Sequence, residues 1–403
     1  MARQLNSLST NLTTDNCTGQ GHLHFTRYRG MFKNITLFSL QTFCTTGGIQ
    51  KMTRTLAHSL NYICQENNGS FKLVSLYDTD NDLMPQYLPP DKFRGFGGMR
   101  ISFILKNLFT KQKPDVIILS HINLALIGLL IKLIRPKTQL WLIAHGIEVW
   151  RPISLHKKQL LKRCDKVLCV SSYTKAQMHK WHQVAPGKCV VLNNALDPFM
   201  KIPVHFEKPA YLLERYGLSG KQPVIFTLTR LAATEQYKGH DRAIRAIAAL
   251  KDKFPDIKYI LAGKYDEAEG TRVKQLIAAL GVTKQVILTG FINEDELPDH
   301  FLLADIFVLP SRKEGFGIVF IEALACGLPV ICGNADGSTD AIRNGELGKA
   351  IDADDGHELE YCITSHLNAP LTLDSRKHLK DKCLQYFNEE TYINTLQKML
   401  NND

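Results

Sequence analysis

From Asn34 onward the chain repeats one pattern: a short apolar run, a turn, then a stretch in which apolar residues recur every three or four positions. Ile35–Leu40 reads as a strand, Thr45-Thr46-Gly47-Gly48 as a turn and Ile49–Tyr62 as a helix, which together make a βα unit. Lys72–Leu76, Val116–Leu119, Leu140–Ala144, Val167–Val170 and Val190–Leu192 follow as short runs rich in β-branched residues, separated by helical stretches. Such runs predict a mostly parallel sheet covered on both faces. Between Asp197 and Gln222 the alternation breaks at Pro198, Pro203 and Pro209, predicting a connector with one helix at Tyr211–Tyr216. The pattern restarts with strands at Val224–Leu228, Lys258–Ala262, Val286–Leu288, Ile306–Leu309 and Val330–Cys332. Helices are expected between them at His240–Leu250, Thr271–Leu280, Leu297–Ala304 and Ile318–Ala325.

The expected fold is therefore α/β, with two Rossmann-like doubly wound domains facing a cleft. The N-terminal domain spans 31–197, a linker 198–222, and the C-terminal domain 223–385. An amphipathic helix over 386–403 is expected to return to the N-terminal domain. Residues 1–30, rich in Ser, Thr and Asn, read as a flexible extension.

Composition narrows the class. At 403 residues, 44% apolar and 22% charged, the chain has enough material for two packed cores and is neither fibrous nor low in complexity. Ten scattered cysteines without a C-x-x-C argue against a zinc site and a disulfide framework, and fit reduced thiols in a cytoplasmic protein. The most apolar window, Ile122–Ile134, holds 13 residues and includes Lys132, whereas a bilayer needs about 20, so it predicts a buried helix. Residues 1–200 carry 25 Lys and Arg against 10 Asp and Glu, while the remainder carries 24 against 29. That excess suits an anionic partner of the first half, such as the inner face of a membrane. Nucleic acid is disfavoured, since only three Trp are present and no basic-aromatic module occurs.

Three constellations carry chemistry. Glu314-Gly315-Phe316-Gly317-Ile318-Val319 links the end of one strand to a helix that Gly327 stops, so the amides of Phe316, Gly317, Ile318 and Val319 form an anion site at the cleft. Glu322, one turn in, can accept bonds from vicinal hydroxyls. Arg230 and Lys238, on one strand-to-helix loop, suit a diphosphate, with a surface ion pair between Arg230 and Glu235 as the alternative. His145 follows the Leu140–Ala144 strand and faces the cleft where open α/β sheets bind ligands. Asp78-Thr79-Asp80-Asn81-Asp82 reads as a solvated turn rather than a metal site, and Gly95-Phe96-Gly97-Gly98 as a loop. Ile101–Lys113 reads as a basic amphipathic helix that either lies on anionic lipid or faces the core.

The stretch Glu314 to Ile331, with Glu314 and Glu322 in an E-x7-E spacing, resembles the signature of family 4 retaining glycosyltransferases of GT-B fold, and the resemblance runs from Asn34 to about Lys398. It implies a hexosyltransferase that uses a UDP- or GDP-sugar, retains the anomeric configuration, needs no metal or other cofactor, and serves surface polysaccharide synthesis on a saccharide or lipid-linked acceptor. By the same resemblance, Glu314 and the amides after it hold the donor sugar, Glu322 the ribose, and Arg230 and Lys238 the leaving diphosphate. His145 then touches the transferred sugar, and the amides of Gly47 and Gly48 approach phosphate or acceptor. A binding protein for the same nucleotide sugar, without transfer, is the rival reading.

Overall fold

The structure, a computed structural model, describes residues 34–401; the extension read over residues 1–30 lies outside them. Seven strands build the first sheet: β1 Asn34–Ser39, β2 Ser70–Ser75, β3 Phe93–Gly95, β4 Val116–Leu119, β5 Gln139–Ala144, β6 Lys166–Cys169 and β7 Cys189–Val191. Their order is β3-β2-β1-β4-β5-β6-β7, and every pairing is parallel. A second sheet of six parallel strands has the order β10-β9-β8-β11-β12-β13. It comprises β8 Val224–Leu228, β9 Lys258–Ala262, β10 Val286–Gly290, β11 Ile306–Leu309, β12 Val330–Gly333 and β13 Lys349–Ile351. In both sheets the order reverses beside the first strand, opening a crevice at the carboxyl ends of the strands.

Both faces of each sheet are covered, which is why the strands read as unbroken apolar runs. In the first domain Leu37, Leu73, Ile118 and Trp141 point into one core, and Phe38, Val74, Ile117 and Leu142 into the other. In the second domain Phe226, Ile260 and Phe307 oppose Ile225, Tyr259 and Val308 in the same way. The final helix, Glu389–Asn401, crosses back to the first domain, where the Glu389 carboxylate accepts from Ser59 Oγ at 2.9 Å and meets His58 Nδ1 at 2.6 Å.

The strands missing from the sequence reading are β3 and β13, both three-residue edges too short to show a period. The 122–134 window forms a short turn and the helix Ala125–Ile134, but with a wet flank: Leu126, Leu133 and Ile134 are exposed. Among the described residues no helix is long and apolar enough to cross a membrane. The nine described cysteines are free thiols.

Candidate active site

The wall of the cleft on the C-terminal domain is the loop between β11 and the helix Ile318–Ala325. Gly317, at φ 81°, sets the helix start, and the amides from Phe316 to Val319 lie in the turn where backbone N–H groups lack intrahelical acceptors. Asp336 fixes this loop. Buried beneath it, Asp336 accepts from the Glu314 amide at 2.7 Å and the Ser338 amide at 2.9 Å, while the Gly337 amide donates to the Glu314 carbonyl at 2.8 Å. Burial, with the Glu314 charge nearby, pushes the Asp336 carboxyl up to about 6.

Lys238 meets Glu314 in a half-buried ion pair. Their meeting depends on Gly239, which has φ 85° and stands against the Pro310 carbonyl, 2.3 Å from where a Cβ would sit. No side chain fits there, so glycine lets the Lys238 loop close on the Glu314 loop. Arg230 takes the alternative arrangement: its guanidinium pairs with Glu235 and its side chain is 69% exposed. Glu235 is the more sheltered partner, 13% exposed, so a diphosphate that takes over Arg230 must leave Glu235 to water or another donor.

Behind Lys238, the groups His240, Asp241 and Glu269 come within 4.8 Å of one another in a metal-like cluster. Arg272 already fills its centre, 2.6 Å from Asp241 and 2.7 Å from Glu269, and holds the Glu269 carboxyl down to about 2. The cluster is thus an ion-pair network around Arg272, and Gln236, two residues before Lys238, donates to its Glu269 at 3.4 Å.

The opposite wall belongs to the N-terminal domain. Gly47 and Gly48 begin the helix Gly48–Glu66, and open space surrounds the Cβ position of Gly48. The preceding loop is held at both ends. Asp78 is fully buried and accepts from the amides of Thr42, Phe43 and Cys44 at 2.7–3.1 Å; Arg54 donates to the carbonyls of Thr42 and Thr45 at 2.9 and 3.0 Å. The solvated-turn reading therefore fails for Asp78, because its carboxylate satisfies three loop amides inside the fold; it describes the exposed Asp80 and the half-buried Asp82.

His145 follows β5 and is buried, 8% exposed, with Nε2–H donating to the Ser120 carbonyl at 2.6 Å and its ring stacked on His121 at 6.4 Å. Burial pushes both histidines down to about 4, so both are neutral at neutral pH. Unfolded histidines take protons near pH 6.5, so stability is full above that value and is lost as pH falls from about 6.5 toward 4. Each histidine contributes up to about 1.4 kcal/mol per pH unit in that window. Melting curves of His121→Asn/His145→Asn should show a shallower acid slope than the parent; equal slopes would reject the assignment.

The two walls touch. The His145 carbonyl lies 1.8 Å from where a Cβ on Gly315 would sit, so only glycine lets these loops meet. Across the same boundary Lys51 Nζ lies 2.5 Å from Glu322 Oε1, with both side chains largely buried, and Arg54 reaches Glu294 at 3.0 Å. Asp340 accepts from the Ser172 amide at 2.8 Å and from Asn193 at 3.1 Å. Burial opposes the Lys51 charge, but the carboxylates of Glu322, Glu294 and Asp197 outweigh it and hold the ammonium above the usual lysine range.

The structure thus brings Lys238 to Glu314, the His145 backbone to Gly315, and Lys51, in the turn that Gly47 and Gly48 begin, to Glu322, and leaves Arg230 outside these contacts. Sequence reasoning missed Lys51, Arg54, Asp336 and Asp340. Asp336-Gly337-Ser338 carries a turn signal that could have drawn notice, whereas Lys51 finds its partner 271 residues away and has no local signature.

Residues 212–383 match the family model of glycosyl transferases group 1, and residues 47–198 that of glycosyltransferase family 4. Over 242 residues the chain is 32% identical to a GDP-mannose-dependent alpha-(1-6)-phosphatidylinositol monomannoside mannosyltransferase of Mycolicibacterium smegmatis. That match covers 56% of this chain and 60% of the relative. It is 30% identical over 219 residues to the mannosylfructose-phosphate synthase of Agrobacterium fabrum, covering 51% and 45%. The matched stretches thus span about half to three fifths of these relatives. In fold it is similar to Anabaena HepE, solved with UDP, at a TM-score of 0.74 and 18% identity over 91% of this chain and 99% of the other. Two parallel-sheet domains, each matched by its own family model on either side of one cleft, place the chain in the family 4 glycosyltransferases, with the GT-B fold.

Proposed function

We propose that the protein is a retaining hexosyltransferase that carries a sugar from a UDP- or GDP-sugar to a saccharide or lipid-linked oligosaccharide in surface polysaccharide synthesis. The observation that carries this reading is the closed cleft in which Lys238–Glu314 and Lys51–Glu322 converge on the start of the 318–325 helix. The relative named as GDP-mannose-dependent and the neighbour solved with UDP support a nucleotide donor.

The bond from the anomeric carbon to the β-phosphate oxygen breaks as the acceptor oxygen bonds to the same face, and the acceptor proton passes to the departing phosphate oxygen. Negative charge grows on that phosphate. Lys238, the helix amides and Arg230 once released from Glu235 stabilise it as fixed or mobile positive charge. Glu322 accepts the ribose hydroxyls and Glu314 those of the sugar. Neutral His145 lines the sugar without adding charge, and the closed loops exclude the water that would hydrolyse the donor. The reading calls for no divalent ion. Purified protein incubated with UDP- and GDP-sugars in excess EDTA should therefore give transfer or slow donor hydrolysis; strict dependence on an added metal, or no turnover with any donor, would count against it.

The acceptor side is further proposed to rest on anionic membrane. Ile101 and Leu105 on the helix Arg100–Leu108, with Phe109 just past its end, form an outward apolar stripe, Ile101 76% and Phe109 74% exposed, and Lys106 flanks it. Cell fractionation at low salt should leave much of the protein with membranes and high salt should release it, whereas a wholly soluble pool at low salt would remove this acceptor reading.

A further inference from the structure

A cavity of about 370 Å³ opens in the N-terminal domain between the sheet and the 100–108 helix. Thr36, Lys72 and Arg94 line it from β1, β2 and β3, Lys106 and Asn107 from the helix, and Arg135 from the end of the 125–134 helix. It lies on the face of the sheet beneath the 100–108 helix, whereas Gly47, Gly48 and His145 follow carboxyl ends and do not line it. The cavity is therefore separate from the catalytic cleft.

Four cations face this space, and none of the described residues lining it is acidic. Two are already engaged. Arg94 donates to Asp80 at 2.7 Å, and Arg135 donates to the carbonyls of Leu108, Thr110 and Gln112 at 2.8–3.3 Å, fixing the loop that walls the cavity. Lys72 and Lys106 are different: among the described residues neither makes an ion pair, and Lys106 has only the Phe96 ring, 6.0 Å from its ammonium. Lys72 is half-buried, lines the cavity, and among the described residues meets no counter-charge. Converging like charges repel, and this arrangement is neutralised once an anion enters.

We infer that the cavity binds a phosphate group, with Lys72 and Lys106 as its charge partners and the Thr36 hydroxyl beside them. Ammonium groups on flexible stems suit phosphate oxygens as mobile point charges, and the volume admits a phosphate with part of its ester. A lipid headgroup and a soluble phosphate compound share this chemistry. The exposed apolar stripe on the same helix favours the headgroup. This site does not depend on the transfer reaction proposed for the cleft.

The test compares the parent with Lys72→Gln/Lys106→Gln. One arm is thermal shift in inorganic phosphate against chloride of equal ionic strength; the other is co-sedimentation with phosphatidylcholine vesicles with and without phosphatidylglycerol. The phosphate shift should be at least halved in the variant, and phosphatidylglycerol-dependent sedimentation should fall severalfold. Phosphate captured by the cleft is common to both proteins, so the difference between them reads the cavity alone, whatever the cleft binds. Equal phosphate shifts overturn the proposal. A reduced shift with unchanged sedimentation supports the phosphate site and assigns it a soluble ligand. Lys106→Gln alone, at an exposed position, keeps the comparison valid if the Lys72 substitution impairs folding.

Discussion

Replacing Lys238 with Ala should lower the transfer rate at saturating donor by roughly two to three orders of magnitude, the loss typical when one fixed donor to a developing oxyanion is removed. The residue is placed for this role by backbone geometry: Gly239 seats its loop against Pro310, and the ammonium faces the Glu314 loop. Glu314 neutralises it in the fold, so the ammonium need not point elsewhere. Lys238→Arg should retain part of the rate, because a guanidinium also carries fixed charge but cannot match the compact ammonium in position. The rate constant at saturating donor is the measurement, since KM mixes in ground-state binding. A fall of less than threefold would show that the leaving diphosphate is stabilised elsewhere, with Arg230 the next residue to test.

Most of this fold was legible in the pattern of apolar runs, because parallel strands buried on both faces must be apolar throughout. Val116–Leu119, Val224–Leu228, Lys258–Ala262 and Ile306–Leu309 form the strands expected of them, and Ile318–Ala325 the helix. Residues announced by local chemistry were equally visible: a glutamate and glycines before a helix, a histidine after a strand. The domain-spanning contacts were not. Lys51 sits in the first turn of an amphipathic helix, where a lysine normally faces solvent, and only folding brings Glu322 to it. Asp78 looked solvated because four polar residues follow it, yet its carboxylate points inward to the amides of the 42–44 loop. Arg230 shows the converse limit. Its chemistry suits a diphosphate, but its side chain pairs with the nearby carboxylate of Glu235.

Lys51 and Glu322 should separate donor binding from domain closure. Donor at 100 times its Kd stabilises a protein by about 2.7 kcal/mol, a shift of several degrees in melting temperature. Glu322→Ala should abolish that shift, since the ribose hydroxyls lose their acceptor. Lys51→Ala should lower the melting temperature of the free protein by leaving a largely buried carboxylate unpaired, a penalty of about 3–5 kcal/mol unless the domains part and water reaches it. The donor shift should persist in Lys51→Ala, because hydroxyl donors can replace the ammonium at Glu322. The double variant should be more stable than the sum of the single losses, as removing both partners leaves no stranded charge. An unchanged donor shift in Glu322→Ala would contradict its assigned role. Loss of the shift in Lys51→Ala alone would move the nucleotide contact from the C-terminal domain to the first turn of the 48–66 helix.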